Sequence, residues 1–101
     1  MIDFQQLPRF DFPATTGRSQ SVTKSAVFTT HVNRASAAIN GFDIGFTASD
    51  HHLLREQVDI VTTIVSNTVT VTVNFALRDS SGFFDDPYSG FVEVLVIVDR
   101  A

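Results

Sequence analysis

Apolar and polar residues alternate along most of the chain beyond residue 20, with a period of two. Val69, Val71, Val73, Phe75 and Leu77 share one face, and Thr70, Thr72, Asn74, Ala76 and Arg78 take the other. This is the signature of a half-buried antiparallel strand. Residues 58–65 repeat it, with Val58, Ile60, Thr62 and Ile64 against Asp59, Val61, Thr63 and Val65. Ser66 and Asn67 between these two runs predict a tight turn. Residues 22–30 are rich in β-branched and aromatic residues and predict a further strand, and residues 32–47 hold another apolar segment. The Asn40-Gly41 pair inside it fits a hairpin turn or a bulge. The bulge is favoured, because Phe42 and Ile44 continue the strand at once.

The last strand, residues 91–99, is different. Val92, Val94, Val96 and Val98 form one face, and Phe91, Leu95 and Ile97 join Glu93 and Asp99 on the other. A strand in a two-layer sandwich ordinarily keeps one face wet. The second apolar face therefore predicts a cover, either the other chain of an oligomer or the N-terminal arm. That arm, residues 1–19, carries Phe4, Phe10 and Phe12 between Pro8 and Pro13, and neither proline suits a central strand. It reads as an extended arm followed by a loop, either docked on another body or packed strand-like on its own domain. No apolar period of 3.6 is sustained. Ser49 or Asp50 would cap a single helical turn over residues 49–57, but a loop is the preferred reading. Residues 79–90 read as a long loop. The expectation is an all-β fold, an antiparallel β-sandwich over residues 20–101, preceded by the arm.

Composition narrows the function. The 101 residues suit one domain; 44% are apolar and 18% charged, enough for a modest core. Small domains often bury more surface by associating. The net charge is −4, and the basic residues Arg9, Arg18, Lys24, Arg34, Arg55, Arg78 and Arg100 are scattered, which argues against nucleic acid as a partner. There is no cysteine, so disulfides and thiolate chemistry are excluded. No secretory signal pattern follows Met1, and the longest apolar run, residues 94–98, is too short to span a bilayer. A soluble, complete chain without membrane insertion is expected. The compartment is left open, with an extracellular or virion setting compatible.

Candidate chemistry is sparse. His51 and His52 are adjacent, and neighbours on a strand point apart, so they do not converge on one ion. His31 is distant in sequence. Asp85 and Asp86 are neighbours too, whereas acid–base catalysis needs carboxyls in separate environments across a substrate. No Gly-x-Ser-x-Gly, P-loop or dinucleotide-binding glycine pattern is present. No enzyme, cofactor or metal site is expected. What remains is recognition. Phe83, Phe84 and Tyr88 offer flat apolar faces, and Arg78, Asp79, Asp85 and Asp86 offer hydrogen bonds, a mixture that suits the apolar face and hydroxyl rim of a sugar. Phe83 and Phe84 equally suit anchoring the loop on the core.

Four segments in order bear a resemblance to a known family. They are Ile39-Asn40-Gly41-Phe42-Asp43-Ile44, Leu54-Arg55 entering a strand, the alternating strand after Ser66-Asn67, and Tyr88-Ser89 leading into residues 92–97. Over residues 26–99 the chain resembles the H-type lectin domain, the family of snail agglutinins and discoidin C-terminal domains. The resemblance implies a six-stranded sandwich assembling as a homotrimer or a hexamer of two trimers. It also implies N-acetylgalactosamine-type sugars bound between protomers. The family's sugar-contacting Arg falls on Arg55 and its Tyr on Tyr88. Its Trp-containing element falls near Phe75-Ala76-Leu77-Arg78-Asp79, and this chain has no Trp. A carbohydrate-binding, lectin-like oligomer is the expected function. The alternative is a structural or attachment subunit, phage-tail or virion-like, that uses the same sandwich without sugar.

Overall fold

A computed structural model describes residues 1–15, 20–46, 53–79 and 88–101. They form seven strands and no helix: β1 (Ile2–Gln6), β2 (Phe10–Thr15), β3 (Gln20–Val27), β4 (Val32–Phe46), β5 (Leu53–Val65), β6 (Thr68–Asp79) and β7 (Tyr88–Arg100). All pairings are antiparallel. One sheet is centred on β7, with β4 along one edge and β1 and β2 along the other; the second runs β3-β6-β5. The architecture is all-β, two antiparallel sheets enclosing a common core.

The two central strands are the two with the cleanest alternation. Val69, Val71, Val73 and Phe75 of β6 and Val92, Val94, Val96 and Val98 of β7 are all buried, and form one cluster with Leu7, Phe10, Phe12, Ala26, Phe28 and Val32. Each fully buried valine contributes about 1.5–3 kcal/mol relative to exposure. The Phe12 and Phe75 rings meet edge-on across the layers, with their planes at 86°.

The N-terminal segment is built into the β7 sheet. Ile2 pairs with Asp99 and Gln6 with Leu95; Phe10 then pairs with Val92 and Thr15 with Tyr88. The strands β1 and β2 thus lie end to end as one interrupted edge. Three residues, Leu7, Pro8 and Arg9, stand opposite Glu93 and Val94, and Leu7 still donates its N–H to the Val94 carbonyl at 3.1 Å. The extra residue shifts the parity, so Leu7, Phe10 and Phe12 all face the core. Pro8 sits in the interruption and Pro13 on the edge, where no ladder donor is needed.

This changes two expectations. Seven strands occupy six lateral positions, because the segment expected as an arm supplies two strands that share one edge. That segment also lies beside β7 rather than over it, so it covers the outer face of β7 only in part, through the side chains of Gln6 and Arg9.

Elsewhere the strands run longer than the sequence pattern suggested. The strand β5 begins at Leu53 rather than residue 58, and β7 at Tyr88 rather than residue 91. Ladder hydrogen bonds to a long neighbour extend a strand past its apolar alternation. The bulge expected at Asn40-Gly41 is present as a register shift between Ile39 and Gly41, inside a continuous β4. A Cβ on Gly41 would stand 2.8 Å from Glu93 Oε2, the tip of a side chain that can swing aside. Ser66 has a φ of 57° in the two-residue turn joining β5 to β6.

Candidate functional site

The strand register brings most of the expected ligand residues to one end of the molecule. Arg55 on β5 pairs directly with Arg78 on β6, and Leu53 with Asp79. In the other sheet Tyr88 pairs with Thr15 on one side and Phe46 on the other. The strand ends Thr15, Phe46, Leu53, Asp79 and Tyr88 all belong to this end, because β2, β4 and β6 finish here and the strand that follows each begins in the other sheet. Asp85 and Asp86 lie outside the described residues, as do Phe83, Phe84, His51 and His52. So Arg55, Arg78, Asp79 and Tyr88 are gathered by topology from three strands and two sheets. Adjacency in sequence accounts only for Arg78 beside Asp79.

Phe75 is buried against Phe12 and belongs to the core. Its register partner on β3 is Gln20, whose Nε2 is buried with no hydrogen-bond partner among the described residues. Sequence reading did not single out Gln20. A polar residue following Arg18 and Ser19 gives no hint that its amide turns inward.

The opposite end is a clasp of main chain and charge. Arg100 donates from Nε to Asp3 Oδ2 at 2.8 Å and from Nη1 to Thr30 Oγ1 at 2.9 Å. Its N–H reaches the Met1 carbonyl at 2.9 Å. The Met1 amine lies 3.2 Å from Asp99 Oδ1. The Arg100 guanidinium, followed by the Phe4 N–H, holds the Asp3 carboxyl below the usual carboxylate range. Asn67 donates its side-chain amide to the Phe28 carbonyl at 2.9 Å and so fixes the β5–β6 turn against the connection from β3 to β4. These groups build a structural joint. Among the described residues no group of three or more His, Asp or Glu comes together.

The outer face of the β7 sheet answers part of the puzzle set by its two apolar faces. Arg9 lies 4.5 Å over the Phe91 ring and is held there by a 2.8 Å ion pair with Asp11. Gln6 and Asn40 reach across β7, the Asn40 amide donating to Gln6 Oε1 at 2.6 Å and Gln6 Nε2 to the Val94 carbonyl at 3.0 Å. Leu95 is half-buried between them. Toward the clasp no such cover exists among the described residues. Ile2 is 70% exposed, Phe4 68% and Ile97 38%, and Phe4 pairs directly with Ile97.

No protein-family model, curated protein or solved structure matches this chain.

Proposed function

We propose that this chain is a carbohydrate-binding, lectin-like module of the H-type kind, acting as a homo-oligomer and taking N-acetylgalactosamine-type or related sugars. The observation that carries this reading is the gathering of Arg55, Arg78, Asp79 and Tyr88 at one end of a rigid β scaffold. Strand ends and the loops they carry are common ligand platforms. Arginine and carboxylate donors and acceptors suit ring hydroxyls, and a tyrosine offers an apolar face with a polar tip. Asp85 and Asp86 belong to the same connection between β6 and β7. In this reading the exposed Ile2, Phe4 and Ile97 lie between protomers, and several weak sites on one oligomer act together through avidity.

A second reading is favoured by that same exposed patch. It calls for self-association whether or not a sugar binds, as a structural or attachment subunit would require. A glycan array run beside sedimentation of the intact chain separates the two. Glycan signal lost in Arg55→Ala, with an unchanged melting curve, supports the lectin reading. Oligomers without glycan signal favour the attachment subunit. A melting collapse of Arg55→Ala would make that arginine structural.

A further inference from the structure

Every sheet edge presents unpaired N–H and C=O groups that another strand can adopt, and proteins blunt such edges by identifiable means. Three of the four edges here are blunted. The edge of β1 and β2 is broken at Leu7, Pro8 and Arg9 and carries Pro13. The edge of β4 is interrupted by register shifts between Val32 and Arg34 and between Ile39 and Gly41. On β3, Lys24 pairs with the buried Val71 and so faces inward, its Nζ 5.8 Å from the Phe10 ring centroid. A charge on the inner face must reach water past the rim, so this edge resists a further strand.

The fourth edge is not blunted along its outer half. Residues 60–65 of β5 read Ile-Val-Thr-Thr-Ile-Val, with no charge, proline or glycine. Their pairing with β6 is unbroken from Arg55 to Val65. Six β-branched residues without charge are the composition of a self-pairing segment. Val61 is 53% exposed, Val65 74% and Ile64 39%, and β5 lies over β4, where Ile39 and Phe42 are also exposed. The side of the sandwich formed by β4 and β5 is therefore both apolar and open for strand addition.

We propose that the free edge of β5 pairs antiparallel, about a two-fold axis, with β5 of a second copy of this chain, in a register centred on Val61 or Thr62. The segment is self-complementary. Directly opposed residues must share a face, so even-numbered inner positions meet even-numbered ones, and Ile64 of one copy meets Val58 or Ile60 of the other. Asp59 is the one ionisable residue in 58–65 and sits off centre. In either register the two Asp59 positions lie at least four residues apart, about 13 Å at strand rise, beyond the Debye length of physiological salt. A two-fold contact closes on itself, and the inward Lys24 on the far edge stops the resulting six-stranded sheet from growing. This surface is separate from the patch of Ile2, Phe4 and Ile97, and it does not rest on the sugar reading.

The test uses the intact chain in three forms, followed by sedimentation over a wide concentration range: native, Val61→Lys and Ile97→Asp. A chain without cysteine also allows a clean single-cysteine scan over residues 60–65 under mild oxidant. Val61→Lys is expected to weaken association at least about tenfold with an unchanged melting curve, because two lysines then face each other near the axis. Ile97→Asp is expected to leave this dimer in place. Disulfide yield is expected to peak at residue 61 or 62 and fall to either side. A native sedimentation coefficient in Val61→Lys, a flat or absent cross-linking profile, or growth without limit as concentration rises would each overturn the proposal. A size that falls only in Ile97→Asp overturns it while leaving the oligomer of the functional reading intact. If Val61→Lys does not fold, the cysteine profile decides.

Discussion

The two sheets present the core with much the same surface and present solvent with different ones. Inside, β6 and β7 are matched runs of buried valine. Outside, the β6 sheet shows hydroxyls in register: Thr23 beside Thr72 at 2.9 Å and Ser25 beside Thr70 at 3.1 Å, with Ser21 bonded to Asn74 one step further along. The β7 sheet shows phenylalanine, leucine and isoleucine, shielded in part by Arg9, Gln6 and Asn40 and bare at Ile2, Phe4 and Ile97. A hydroxyl ladder satisfies itself across the strands and tolerates water, so it needs no partner. An apolar face leaves its demand open. The difference is between an outer face whose centre is hydroxylated, with Val27, Val61 and Val65 exposed on the strands beside it, and one whose centre is apolar.

The largest effect should come from the surface the sheets share. Phe75→Ala removes a ring packed edge-on against Phe12 and is expected to cost about 3–5 kcal/mol, whereas Phe4→Ala should move the stability of the isolated chain by no more than about 0.5 kcal/mol. Chemical denaturation of both variants checks this. Equal losses would mean that Phe4 is buried in the folded monomer.

Ile97→Asp should weaken any oligomer formed through the β7 sheet at least about tenfold, since a charge would be buried there without a partner. Thr72→Asp, its counterpart on the β6 sheet, should leave the sedimentation coefficient unchanged. If the two variants behave alike, the contrast between the faces has no bearing on assembly.

Smaller effects probe the ladder and the bulge. Thr72→Val alone should cost up to about 1 kcal/mol by leaving Thr23 without its bond, and adding Thr23→Val should recover most of it. A double mutant no better than the single would show that the hydroxyls act independently. Gly41→Ala should cost under about 1 kcal/mol, because the atom it meets is the tip of Glu93, which can swing aside.

The smallest effect is a pH response at the clasp. Asp3 has its carboxyl held below the ordinary range by Arg100. Its contribution is therefore complete above the unfolded-state value and is lost as pH falls through the lower folded-state one. Asp3→Asn should flatten the acid limb of the melting-temperature curve slightly and leave the curve above neutral pH parallel to the native one. An unchanged acid limb would assign the acid sensitivity to other carboxylates.

Legibility followed the local pattern. The strands β6 and β7, the Ser66-Asn67 turn and the bulge before Gly41 were all readable, because side-chain alternation and turn chemistry are carried by neighbours in the chain. The early start of β5 at Leu53 and of β7 at Tyr88 was not, since those residues are held by a partner strand and not by their own alternation. Only part of the candidate site was legible. The residue types at Arg55 and Tyr88 could be picked out, but their meeting at one end depends on which sheet each strand joins.

What the sequence determined by itself was the class of fold and its two central strands, since burying one face of a strand requires only a period of two. It also determined that the last strand had two apolar faces and needed more cover than one layer supplies. The tertiary structure alone decided where that cover comes from. The first fifteen residues became an edge beside β7 whose Gln6 and Arg9 side chains cover part of its outer face, and one extra residue around Pro8 turned Leu7, Phe10 and Phe12 inward together. Register and edge pairing are choices among distant segments with similar local merit. Their energies come from contacts between residues nearly a whole chain apart, and no local pattern records them.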